Sequence, residues 1–304
     1  MYPYILMIIV VIIYAGNILV GKAMNALPPF TIAFFRLFVA FIVLFPVGYR
    51  SAWQSRFTFF KYKKPFFVMA LTGVAFFNTF IYSSLQFTTA SNVSVLEATI
   101  PVATVILSAW ILKEKLRGLQ WFGVLLSFIG AVWVVMDGGI FQLAAVHWNI
   151  GDAIMLGAIL SWAIYSVFVK QYMHLFPPFG APLVMTGISV VLLLPVVIIE
   201  WIILGIPGLG SINYLTGFLY LGIFPSFIAL IFYNRAVDLL SATEASVFLN
   251  FLPVVTMAGA FLWLGEKITF MQGFGSLVVI AGVILTTQIR DKYQNIDVQS
   301  KETS

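Results

Sequence analysis

Two ionisable residues lie deep in apolar sequence. Arg36 stands about seven residues into the stretch that begins at residue 30, and Glu97 about five residues into the stretch 92–112. Inside hydrocarbon, each charge costs roughly 2.5–3.5 kcal/mol at a helix centre. Chains keep such residues where they pair, carry a proton or meet a charged ligand. Two readings stay open. One is a permanent ion pair that joins two helices. The other is a pair that forms and releases, with Glu97 as a proton site.

Polar and aromatic residues form the second group. Tyr14 with Asn17, and Trp162 with Tyr165, are spaced i, i+3 and so share a helix face. Asn78, Tyr82, Ser226 and Asn250 interrupt other apolar runs. Aromatic walls with a few amides and hydroxyls suit a cavity for a small molecule. The competing reading is interfacial aromatic belts and hydrogen bonds between helices. Pro101 and Pro253 fall inside apolar runs, where Pro removes a backbone hydrogen bond and acts as a hinge or a static kink.

Enzyme chemistry finds little support. The chain has no Cys, and its two histidines, His147 and His174, are too few for a His-based metal centre. Motifs for a serine nucleophile, a phosphate loop, a zinc protease or a dinucleotide fold are missing. The expectation is no catalytic residue, no metal and no cofactor.

The elements that must hold these residues follow from composition. Sixteen Lys and Arg with 11 Asp and Glu make 9% of 304 residues, against 62% hydrophobic residues. A soluble domain carries roughly 25% charge, so soluble and disordered classes are excluded. Ten apolar segments can be marked off, at 3–24, 30–49, 65–86, 92–112, 118–136, 150–173, 179–204, 212–234, 244–264 and 270–288. Each must be a helix, because lipid forbids unpaired backbone groups. Residues 290–304 read as a polar cytoplasmic tail. The first segment lacks a basic leader and is too long for a signal peptide, so it reads as a span.

Loop charge sets the orientation. Arg50, Arg56, Lys61, Lys63, Lys64, Lys113, Lys115 and Arg117 lie in two loops of the first half, with only Lys22 opposing them. This places those loops and both termini in the cytoplasm. The basic residues sit beside spans, which argues against nucleic acid as a partner of this basic chain.

The chain also repeats itself. At an offset of 152, Ser94 meets Ser246, Pro101 meets Pro253, and Glu114-Lys115 meets Glu266-Lys267. Gln120, Gly123 and Gly130 meet Gln272, Gly275 and Gly282, and Lys22 with Pro28-Pro29-Phe30 mirrors Lys170 with Pro177-Pro178-Phe179. Residues 1–140 and 150–289 therefore read as two copies of a five-helix unit. Five is odd, so the second copy is inverted, which is a feature of secondary transporters. The expected fold is an all-α integral membrane protein of ten transmembrane helices in two inverted repeats. Gly123, Gly130, Gly275 and Gly282 read as seams of close helix contact.

Each copy carries a Pro in its fourth segment and then an acidic–basic turn, as Lys113-Glu114-Lys115-Leu116 and Gly265-Glu266-Lys267-Ile268. With Pro-Pro-Phe followed by Arg36-Leu37-Phe38, this pattern resembles the EamA family of the drug/metabolite transporter superfamily over about residues 1–288. The resemblance implies export of amino acids or related metabolites across a bacterial plasma membrane. Such a carrier would work by alternating access, with a small-molecule substrate, surrounding membrane lipid and a proton as candidate coupling ion. An intramembrane enzyme, a lipid-handling protein or a channel is the alternative. The family pattern is broken at one place: Met185 and Thr186 stand where a second Arg36 would be.

Overall fold

Hydrocarbon offers no partner for a free N–H or C=O, and every regular element of the computed structural model is a helix among the described residues. Those residues are 2–88, 93, 96–113, 118–135, 150–256, 258, 269–271 and 273–286. The turns holding Glu114-Lys115 and Glu266-Lys267 fall outside them, as do Ser94, Gln272, His147 and the tail from Arg290.

Six helices are long and apolar enough to cross a membrane. They are α1 (Tyr2–Ala23), α2 (Pro29–Gln54), α4 (Lys63–Phe87), α7 (Ile150–Leu175), α8 (Gly180–Leu204) and α9 (Ile212–Leu239). A short α3 (Arg56–Lys61) joins α2 to α4. Four shorter apolar helices complete the described elements: α5 (Ile100–Leu112), α6 (Gly118–Trp133), α10 (Ala242–Thr256) and α11 (Gly273–Thr286). The chain is thus a multi-pass, all-helical membrane protein.

The helices of the two halves interleave. α2 lies along α8, α4 packs on α7, and α1 packs on α9. α6 and α11 meet where side chains are missing. A Cβ on Gly123 would sit 2.8 Å from the Gly282 carbonyl oxygen, and one on Gly130 would sit 2.7 Å from the Val279 nitrogen. Such approach is open only to Gly, so these positions do form the close seam that their spacing suggests.

Helix ends are tied by long-range contacts. The Lys22 ammonium, at the end of α1, donates to the Leu85 and Thr88 carbonyls at 3.1 and 3.2 Å. Lys170 of α7 donates in the same way to the Asp238 and Leu240 carbonyls at the C-terminal end of α9. A cation at a helix C-terminus answers its unpaired carbonyls.

Of the two prolines expected inside helices, Pro101 starts a helix and Pro253 lies inside one. Pro101 lies in the first turn of α5, after a turn at Ala98 and Thr99. Pro253 follows a 3-10 turn at Phe248–Phe251 inside α10. The missing N–H of Pro101 costs nothing at a helix start, so it opens a new helical piece after a break and does not bend a continuous one. Pro46 and Pro195 also stand inside helices, in α2 and α8.

Candidate functional site

Widened turns shape the middle of two helices. Ala70–Phe76 of α4 and Phe224–Ala229 of α9 are π-helical, a form that often marks functional positions. Gly73 in the first and Ser226 in the second border one buried cavity of about 30 Å³, room for roughly two waters. Tyr14 and Asn17 of α1, Arg36 of α2, Asn78 of α4 and Trp162 of α7 also line it. Glu97, just before the break ahead of α5, completes the polar lining.

Arg36 is 3% exposed and is held from three other helices. Its Nε donates to Ser226 Oγ at 2.8 Å, and its Nη1 donates to Asn17 Oδ1 at 3.0 Å and to the Tyr82 hydroxyl. The Tyr82 hydroxyl donates onward to Asn17 Oδ1 at 3.0 Å. Ser226 donates to the Leu221 carbonyl at 2.7 Å, five residues back in the π turn, so its lone pairs face Arg36. These acceptors are neutral. They engage Nε and Nη1 without neutralising the guanidinium charge.

Glu97 is equally buried, at 4%. A direct Arg36–Glu97 ion pair is not what the structure holds. Among the described residues the ion pair within 4 Å is Arg235–Asp238. Asn17, Tyr82 and Ser226 hold Nε and Nη1 of Arg36, and Glu97 reaches the same cavity from a different helix. The two opposite charges therefore border a common space instead of closing on each other.

An aromatic wall stands beside them. Trp162 meets Tyr14 edge-on with ring centroids 5.8 Å apart and packs on Phe77 at 4.3 Å. Its indole N–H donates to the Tyr233 hydroxyl at 3.1 Å, and Tyr233 in turn bonds Ser166 at 2.6 Å. Tyr165, on the same helix, turns away from the lining and donates to Asn234 Oδ1. Its ring fills the space beside Gly73, where a Cβ would collide with it.

The expected cavity residues thus divide. Tyr14, Asn17, Asn78, Trp162 and Ser226 line the space with Arg36 and Glu97. Tyr82 and Tyr165 stand behind it as hydrogen-bond partners of the lining or of its neighbours. Asn250 is fully buried and donates to Ser127 Oγ at 2.8 Å, which ties α10 to α6. Thr186, at the counterpart of Arg36, bonds only carbonyls of its own helix, at Pro182 and Leu183. The site is therefore charged on one side only.

Some buried groups escaped the sequence reading. Arg36 and Glu97 are not the sole buried charges, since Asp152, Glu200 and Glu244 are each under 9% exposed. Glu200 accepts from the Phe30 and Thr31 backbone N–H groups at 3.1 and 2.8 Å, at the first turn of α2. Pro28 precedes that helix and has no side chain to cap it, which is the one local hint.

Bilayer-length helices around a small buried cavity put the chain among polytopic membrane proteins. The chain belongs to the EamA-like transporter family, whose model matches residues 1–136 and 149–288. It is 27% identical to an uncharacterized transporter of Archaeoglobus fulgidus over 295 residues, covering 93% of this chain and 96% of that one. It is 26% identical to the uncharacterized transporter YyaM of Bacillus subtilis over 227 residues, covering 74% of this chain and 73% of the relative. A solved crystal structure shares the fold at a TM-score of 0.75, with 15% identity, over 94% of this chain and 98% of the other. The protein is accordingly a membrane transporter with a small-molecule substrate.

Proposed function

We propose that the protein exports amino acids or closely related metabolites by alternating access through the Arg36–Glu97 cavity. One observation carries this reading: a buried cation and a buried carboxylate border the same space without pairing. A zwitterion has the matching charges. Its carboxylate suits the Arg36 fork and its ammonium suits Glu97, while Tyr14 and Trp162 offer an apolar wall. The present volume has room only for water-sized molecules, so substrate entry requires the helices around it to separate.

Two inverted five-helix repeats would supply that motion. Matched features in the two halves support this organisation: the Lys22 and Lys170 caps, and the π turns at Ala70–Phe76 and Phe224–Ala229. Helix breaks at the bilayer midplane are where carriers place their sites. Eight Lys and Arg in two loops support a cytoplasmic location of both termini in a plasma membrane. Glu97 is the candidate proton site if export is coupled to a proton.

The test is a counterflow screen of labelled amino acids in proteoliposomes holding the purified chain. Saturable exchange of one or more amino acids, lost in Arg36→Met, supports the reading. Flux without counterflow points to a channel, and chemical change of a lipid or solute without flux points to an enzyme.

A further inference from the structure

A second hollow lies on the outside of the helices. It is a groove of about 970 Å³ between α2, α3, the start of α4 and α8. One long wall runs along α2 from Phe41 to Trp53, about 18 Å at 1.5 Å per residue. Val191 of α8 faces it from the other side. Trp53 and Val191 are 59% and 69% exposed, so these apolar surfaces open away from the protein interior. The hydrocarbon of one leaflet is about 15 Å deep, half of a 30 Å core, so the groove matches an acyl chain in length.

One end of the groove is basic. Arg56, Lys63 and Lys64 line it there, and no acidic residue occurs anywhere in residues 1–96. None of the three is in an ion pair among the described residues. Arg56 is also held in place: its guanidinium donates to the Trp53 carbonyl at 3.1 Å and lies over the Trp53 and Phe57 rings.

We infer that this groove is a binding site for an anionic phospholipid, with an acyl chain along α2 and α8 and the phosphate at Arg56, Lys63 and Lys64. The charge pattern selects the ligand. A zwitterionic lipid offers the same chain but brings its own ammonium beside three cations, whereas a phosphatidylglycerol headgroup brings only negative charge. The inference does not depend on what the inner cavity transports.

Native mass spectrometry of the purified full chain, titrated with phosphatidylglycerol or phosphatidylcholine of equal chain length, tests it. The expected result is at least fivefold greater retention of phosphatidylglycerol. That preference should vanish in a protein carrying Arg56→Gln, Lys63→Gln and Lys64→Gln. Val191→Trp, which narrows the groove from an exposed position, should reduce retention of both lipids. Glycerol phosphate, a headgroup without tails, should not compete. Equal retention of the two lipids overturns the proposal, as does a preference that survives the triple substitution. Competition by glycerol phosphate, or indifference to Val191→Trp, reduces the site to a phosphate patch and equally overturns it. Should the triple variant not fold, the wild-type lipid comparison and Val191→Trp decide by the same criteria.

Discussion

The Glu200 carboxylate accepts a 2.8 Å hydrogen bond from the backbone N–H of Thr31, 169 residues away in sequence. It also accepts from the Thr31 hydroxyl at 2.7 Å, and the neighbouring Trp201 indole donates to that hydroxyl at 2.9 Å. An anion from the end of α8 thereby caps α2, whose own N-cap, Pro28, has no side chain to offer. A carboxylate there meets both the free N–H groups and the positive end of the helix dipole.

Removing that charge should loosen the α2–α8 contact without touching the cavity. Glu200→Gln should lower stability by about 1 kcal/mol, within the range for a charge at a helix N-terminus. Thr31→Val should cost a similar amount through its hydroxyl. The two effects should be less than additive when combined, because both act on one network. Unfolding in detergent measured for the four proteins of the cycle checks this, and strict additivity would remove the proposed coupling.

Arg36 should not tolerate Lys. The guanidinium reaches Ser226, Asn17 and Tyr82 at once, whereas a single ammonium cannot span acceptors on three helices. Losing even one charge-assisted bond, about 1.5–3 kcal/mol, predicts a fall in exchange rate of roughly ten- to a hundredfold. Counterflow at matched protein amounts provides the readout. A rate within twofold of wild type would show that position 36 needs only charge.

Glu97→Gln separates coupling from binding. The amide keeps the size of the side chain but cannot cycle a proton. If Glu97 is the proton site, accumulation driven by an imposed pH gradient should fall to the level seen without one, while counterflow persists only at raised substrate concentration, because the ammonium loses its anionic partner. Unchanged response to the gradient would rule out Glu97 as the coupling residue.

The α6–α11 seam gives a packing test with an internal control. A Cβ at Gly282 would meet the Gly123 carbonyl oxygen at 2.7 Å, so Gly282→Ala should destabilise by about 1–3 kcal/mol through overpacking. Gly273, at the start of α11, has nothing within 4 Å of its Cβ position. Gly273→Ala should be neutral or slightly stabilising, because Ala favours helix over Gly by up to about 1 kcal/mol. Melting curves of the two variants should separate clearly.

The membrane class was open to a reading of residues alone. So were the six bilayer-length helices, the close contact at Gly123 and Gly130, and the burial of Arg36 and Glu97. These follow from local rules, since hydrocarbon forces long apolar runs into helices and makes every embedded charge conspicuous. Pro101 shows the limit of such rules. Its sequence context is uniformly apolar, yet the helix is already broken at Ala98 and Thr99, so the proline begins a helix instead of bending one.

The sequence by itself determined that this chain lives in a bilayer and that Arg36 and Glu97 are its central charges. Only the tertiary structure decided which groups meet them. Arg36 binds Ser226, 190 residues distant, and leaves Glu97 unpaired across a shared cavity. Glu200 looks in sequence like an ordinary residue near a helix end, yet it caps another helix. The physical reason is the solvent. In lipid the outer face of a helix is as apolar as its packed face, so no periodic stripe marks the side that meets a neighbour. Partner choice is then set by shape and hydrogen bonding between helices, which exist only once the chain is folded.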